Sequence, residues 1–182
     1  MTNLHELLVE RRSIRRYTDK PLDPADVKTI LEAGLLSPTG KSARAWHFIA
    51  VDDKTMLQQL SECKKAGAMP VAKCALAIVV AVDTTKAETW MQDGSIAAAY
   101  MMLQARDLGI GSCWIEVDGR LAADGTPAEE IVSELLGIPE HIRPLCILSM
   151  GYPDEVRQPQ NVEKLLWERV HIGRFSPDQC PA

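Results

Sequence analysis

The nine residues from Cys74 to Val82, CALAIVVAV, form the longest apolar run in the chain. They are too few to span a bilayer, which takes about 20 residues as a helix. Their length and β-branched content suit a buried strand at the centre of a sheet. The rest of the chain must then supply that strand with neighbours.

Candidate neighbours are spaced along the whole sequence. Asn3 with Glu6 gives a capping-box pattern for a first helix. In LDPADVKTILEAGLLSP, Asp23 is an N-cap, Pro24 opens the first turn and Pro38 lies past the end. Val27, Ile30, Leu31 and Leu35 make the apolar stripe of that helix. WHFIAV, Trp46 to Val51, reads as a strand, and Asp52 or Asp53 opens a helix to about Lys65. A helix from about Glu88 to Leu108 is rich in small and soft residues on several faces, so it should be buried. GSCWIEV is a third strand. Thr126, Pro127 and Glu129 start a helix that stops at Gly137-Ile138-Pro139, and PLCILSMG is a fourth strand. Four or five strands and five helices interleave irregularly, which leaves α/β and α+β both open.

The length of 182 residues suits one domain with a full core. A net charge of -5 argues against a general nucleic-acid binder. MTNLHELLVE lacks the basic start and apolar core of a signal peptide, so a cytoplasmic protein is expected. Cys63, Cys74, Cys113, Cys146 and Cys180 contain no C-x-x-C, which suits reduced thiols better than a disulfide frame or an iron–sulfur cluster. His5, His47, His141 and His171 lie too far apart to suggest a structural metal.

Against this acidic background, RRSIRRY at residues 11–17 concentrates four arginines. A solvated charged face is the plain explanation. The interruption by Ser13 and Ile14 favours an anion site instead. Arg11, Arg12 and Ser13 could hold a phosphate through paired guanidinium hydrogen bonds and a hydroxyl. In extended geometry Arg15 projects on the side of Ser13, toward another part of the same ligand, while Arg16 points away to pair with an acid. The pattern suits an elongated phosphate ester. SPTGKS lacks P-loop spacing, and GIGSCW lacks a third glycine and leads from helix to strand, opposite to a dinucleotide fingerprint. Gly109 and Gly111 would still let backbone approach a flat ligand. Cys113 has no histidine placed to activate it and reads as a structural thiol.

Five segments in order resemble the FMN-dependent nitroreductase family in its compact single-domain form. They are ERRSIRRY, LSPTGKSARAWHFIAV, DGSIAAAYMMLQARDLGIGSCWIE, LGIPEHIRPLCILSMGYP and WERVHIGRF, running over residues 4–175. The resemblance implies an α+β fold, with a mixed, mainly antiparallel central sheet flanked by helices. It implies an intertwined homodimer with FMN at each of two interface sites. Residues 1–153 would form the FMN-binding domain, and residues 154–182 a C-terminal arm packing on the partner subunit. Leu165, Leu166, Trp167, Val170, Ile172 and Phe175 make that arm too apolar for a disordered tail.

By the same resemblance, Arg11, Arg12 and Ser13 match phosphate and ribityl contacts, and Arg15 sits beside the flavin pyrimidine edge. Pro38, Thr39 and Gly40 match a loop reaching the flavin of the other subunit. Ser42 stands where many members have Asn, and Arg44-Ala45 where Gln-Pro is common. Asp93 matches a polar position near the flavin, with helix capping as its alternative role. Trp114, Ile115 and Glu116 match the strand whose backbone covers the flavin and reaches its N5 edge, and Val117 replaces a frequent Gly. Arg157 and Lys164 are both candidates for a basic residue that completes the phosphate site. The implied activity is hydride transfer from NADH or NADPH to an organic acceptor such as a nitroaromatic or quinone, in a ping-pong sequence. The alternatives are related reductive chemistry, such as dehalogenation or enone reduction, and a binding module without turnover.

Overall fold

The computed structural model describes residues 3–175. The apolar run becomes β2 (Leu76–Asp83), buried along its whole length. The sheet order is β1 (Trp46–Val51), β2, β4 (Ile142–Gly151), β3 (Gly111–Glu116), so β2 and β4 are interior. Every neighbouring pair is antiparallel. The mixed character reduces, among the described residues, to one isolated parallel bridge between Ser13 and Ser112.

Alternation along β2 explains the layering, because successive side chains face opposite ways. Ala77 and Val79 pack with Leu57 and Leu60 of α3 (Lys54–Leu60), Val71 of α4 (Met69–Ala72) and Val132 of α6 (Ala128–Leu136). Ile78 and Val80 pack with Ile30 of α2 (Pro24–Leu35) and Ala98, Met101 and Ala105 of α5 (Trp90–Asp107). Helices therefore cover both faces of an antiparallel sheet, an α+β arrangement. Each fully buried aliphatic side chain contributes roughly 1.5–3 kcal/mol to holding the layers together.

The capping signals operate as their chemistry requires. Asn3 accepts the His5 amide at 3.0 Å and Glu6 accepts the Asn3 amide at 3.3 Å, opening α1 (Leu4–Glu10). Asp23 accepts the Ala25 amide at 2.8 Å, and Asp53, not Asp52, accepts the Met56 amide at 2.8 Å. Gly137, at φ 65, ends α6 in the left-handed region.

Three details differ from expectation. The helix after Asp53 stops at Leu60, where the Ser61 hydroxyl donates to Gln58 O at 2.7 Å and the chain turns toward Gly67. The short α4, opened by Pro70, was not evident from periodicity because it makes a single turn. Leu35 is exposed; the buried face of α2 uses Gly34 instead, where a Cβ would lie 3.0 Å from Met101 Sδ and Phe48.

After β4 the chain makes two 3₁₀ turns, Val162–Lys164 and Trp167–Arg169. The arm is tied back by Gln160, whose amide donates to Val9 O at 2.8 Å. Yet Leu165, Leu166, Trp167, Val170, Ile172 and Phe175 are all exposed, so the arm does not bury them on its own domain. Leu4, Leu8, Met91, Ile96 and Tyr100 add exposed apolar surface on α1 and α5. Cys180 lies outside the described residues. Among those residues no helix is long and apolar enough to cross a membrane, and no group of three His, Cys, Asp or Glu side chains could hold a metal.

Candidate functional site

The arginine segment lies on the sheet, held by its apolar members. The Ile14 amide donates to Ser112 O at 3.0 Å. The Tyr17 hydroxyl donates to Ile14 O at 2.6 Å and contacts Ser149 Oγ at 2.9 Å. Burial raises the Tyr17 pKa, so the phenol stays a neutral donor. Ile14 and Tyr17 are buried, whereas Arg11 and Arg12 are half-buried and Arg15 and Arg16 exposed. Gly111 and Gly151 permit this: a Cβ on Gly111 would come 2.8 Å from Ile14 Cβ, and one on Gly151 would come 2.9 Å from Tyr17 Cβ. Gly111 therefore makes room for Ile14, a packing role its motif did not suggest.

Arg11, Arg12, Arg157 and Arg106 line one cleft of about 290 Å³ together with Glu10 and Glu155. Four guanidiniums against two carboxylates leave two positive charges. Arg12 Nη1 donates to Gln158 O, coupling the cluster to the start of the arm. Arg106 Nη2 donates to Glu10 Oε2 at 2.8 Å, while Arg106 Nε is buried with no acceptor.

Glu155 organises the other wall. Its carboxylate is 5% exposed and bonds Arg157 Nη2 at 2.8 Å. It also accepts the Arg15 amide at 2.6 Å and the Arg16 amide at 3.3 Å. Arg16 Nε lies 3.9 Å from it, the acid partner expected for that side chain. The bond from the Arg15 amide, reinforced by Arg157, holds the Glu155 carboxyl below its ordinary pKa.

The remaining residues fall elsewhere. Arg157 lines the cleft, whereas Lys164 is exposed in the first 3₁₀ turn and does not. Ser13 and Arg15 lie beside the Cys113 thiol, on β3, outside the cleft lining. Burial raises the Cys113 pKa and the Arg15 charge offsets part of that rise. Cys63, Cys74, Cys113 and Cys146 are free and buried. Farther along β3, the half-buried Trp114 donates its indole N–H to Glu116 Oε2 at 2.7 Å, and the Ile115 side chain is in the core. The Val117 amide donates to Leu145 O at 3.1 Å, so the fold already uses it.

Pro38, Thr39, Gly40 and Ser42 belong to a loop fastened by Asp93. Asp93 Oδ1 accepts the Gly40 amide at 2.9 Å and the Thr89 hydroxyl at 3.2 Å, while Oδ2 is buried without a partner. Asp93 anchors a loop rather than capping its helix. Thr39 Oγ1 accepts the Arg44 amide at 3.1 Å. Lys41, Ser42 and Arg44 adopt φ of 53, 55 and 47, in the left-handed region that non-glycine residues avoid. Such strain costs of order 1–3 kcal/mol per residue and gathers at functional sites.

These two groups occupy opposite corners of the sheet. The Thr39 loop leads into β1, whose Trp46 pairs with Val82, whereas the arginines sit where Gly111 pairs with Gly151. Three strand spacings separate β1 from β3, roughly 14 Å. Along β2, the six steps from Val82 to Leu76 add roughly 20 Å. One chain does not bring the two halves together.

The family model described as the Nitroreductase family matches residues 8–84 and 62–152. The chain belongs to the nitroreductase family. Among nitroreductase relatives, an Archaeoglobus fulgidus protein provisionally named NADH dehydrogenase/NAD(P)H nitroreductase is 37% identical over 181 residues, covering 96% of this chain and 94% of its own length. An NADPH-dependent oxidoreductase of Staphylococcus saprophyticus is 23% identical, covering 97% of this chain and 76% of its own. The solved structure of an FMN-dependent nitroreductase from Clostridium difficile R20291 superposes with a TM-score of 0.91 at 42% identity, covering 93% of this chain and 98% of that one.

Arg106, Glu155 and Lys64 were not singled out from the sequence. Arg106 lies in the last turn of α5 and reads as a helix-end cation; only its position relative to RRSIRRY in space reveals a further role. Glu155 sits in a polar tail with several other acids, and nothing local marks it.

Proposed function

We propose that the chain is an NAD(P)H-dependent FMN oxidoreductase, working as a homodimer and passing a hydride to an organic acceptor such as a nitroaromatic or quinone. The observation that carries this reading is the arginine cleft. It has two uncompensated positive charges and a buried guanidinium N–H without an acceptor, at the sheet corner where the family resemblance puts a phosphate. A phosphate monoester carries about -1.5 to -2 charge at neutral pH, which matches.

The residues present fit FMN. Arg11, Arg12 and Arg157, with Arg106, would hold its phosphate, and Ser13 and Arg15 would meet the groups beyond it along β3. Arg157 fits the phosphate better than Lys164. Bound FMN supplies the two-electron redox chemistry. Arg15 places a positive charge along the β3 edge, which favours the more negative, reduced cofactor. The Thr39–Gly40 loop would serve the site of the second subunit, because it lies at the opposite corner from the arginines of its own chain. Exposed Leu165, Leu166 and Trp167 on the arm, with Tyr100 and Ile96 on α5, supply apolar surface for that association. The four buried free thiols suit a reducing, cytoplasmic setting.

The test is direct. The purified dimer should bind one FMN per chain, bleach anaerobically with NADH or NADPH, and recover colour with a nitroarene or quinone. Initial rates with both substrates varied should give parallel double-reciprocal lines. A monomer that ignores added FMN would overturn the proposal, and intersecting lines would overturn the ping-pong order. Turnover restricted to enones or halogenated arenes would move the chemistry to those classes.

A further inference from the structure

A second cationic recess lies at the far end of β3 from the arginine cleft. Lys64, Lys65 and Arg120 line a pocket of about 270 Å³ with Ala66, Glu116 and Leu121. Among the described residues none of these three cations forms an ion pair. The one carboxylate in the lining is engaged, since Glu116 Oε2 takes the Trp114 indole N–H at 2.7 Å. Lys64 Nζ donates to the Glu116 carbonyl at 2.9 Å. Burial lowers the Lys64 pKa, and the nearby Arg120 charge adds to that effect. The walls are fastened to each other, because the Lys65 amide donates to Leu121 O at 3.0 Å. An acidic protein thus keeps two uncompensated positive charges in a recess built from two tied loops.

Resting on the oxidoreductase reading above, we infer that this recess holds an anionic group of the acceptor, so that the molecules reduced are organic acids: carboxylates, sulfonates or phosphate esters. The recess borders the backbone of Glu116, the residue matched to the N5 edge where hydride is exchanged. An anion held there belongs to the same small molecule as the reducible group. The 2′-phosphate of NADPH lies many bonds from its nicotinamide, so it is the poorer fit. Two flexible cations beside a lysine fixed on a carbonyl can follow anions of different shape, while the attractive charge excludes organic cations.

Benzoate, with benzamide as its neutral counterpart, tests the recess. Titrated into the isotopically labelled, FMN-loaded protein, benzoate should shift the amide resonances of Ala66 and Leu121, and benzamide should not. The double variant Lys65→Gln/Arg120→Gln should lose those shifts. In turnover, the ratio of kcat/KM for 4-nitrobenzoate over 4-nitrobenzamide should fall roughly tenfold or more in that variant, as expected for lost charge-assisted hydrogen bonds. Unmoved amides, or an unchanged ratio, would overturn the inference. A fall in the NADPH-over-NADH preference with the acceptor ratio intact would also overturn it, by assigning the anion to the donor. If the protein fails to take up FMN, the oxidoreductase reading falls, and the same benzoate titration of the flavin-free protein still decides whether the recess binds organic anions.

Discussion

Gly111 and Gly151 sit opposite each other on β3 and β4, and the side chains of Ile14 and Tyr17 occupy the space their missing Cβ atoms leave. The arginine-bearing segment can lie against the sheet only because both positions are bare. Alanine at either should overpack this contact, destabilising the fold by about 1–3 kcal/mol. The arginines should shift with the displaced segment, so FMN affinity should drop as well. Urea unfolding with a parallel flavin titration checks both, and a Gly111→Ala protein with unaltered stability would refute the contact.

The cleft predicts a difference between two flavins. Arg12→Ala should weaken FMN by about 1.5–3 kcal/mol, the range for a hydrogen bond to a charged group, or roughly 10- to 150-fold in Kd. Riboflavin, which lacks the phosphate, should lose much less. Arg106→Ala should show the same selectivity. Equal losses for both flavins would show that these arginines do not meet the phosphate.

Glu155 should give the cleft an acid limit. Its folded pKa lies below the ordinary value of 4.5, so its contribution is complete above that value and is lost as pH falls through the lowered folded pKa. The stability gap between wild type and Glu155→Gln should therefore be constant from neutral pH down to about 5, then close as the medium becomes more acidic. Chemical denaturation at a series of pH values measures it. A gap that widens on acidification would contradict the assignment.

Asp93→Ala should strip the Gly40 amide and the Thr89 hydroxyl of their shared acceptor. Leaving such groups buried and unpaired costs about 1–3 kcal/mol. The strained Lys41–Arg44 backbone should relax at the same time. Asp93→Asn, which keeps one side-chain oxygen, should retain most of the stability. Thermal melts and amide exchange at Gly40 separate the two variants.

Much of this architecture was readable from residue chemistry. Asp23 before Pro24, Asp53 before an amphipathic turn and Gly137 at a helix end each act through a local hydrogen bond or a local φ, so the sequence suffices. The strand at Trp46–Val51 was equally plain from its β-branched and aromatic content. What escaped was set by distant partners. Leu35 and Gly34 exchanged roles because α2 packs close against Met101, and the Val117 amide turned inward to Leu145. Arg106 entered the cleft because α5 ends beside the first helix, a meeting of residues 96 positions apart in the Glu10 pair. At the site, the motif around RRSIRRY pointed to an anion, but that Arg157 lines the cleft and Lys164 does not needed the path of the chain after β4.

The diagonal separation of the arginine corner from the Thr39 corner has a genetic corollary. In the proposed assembly every subunit lends one corner to each of two centres. Hybrids of an Arg12→Ala chain with an Asp93→Ala chain would then gather both lesions in a single centre and leave its twin whole. Two individually crippled alleles, co-expressed, should rescue each other to roughly a quarter of the wild-type centres by random pairing.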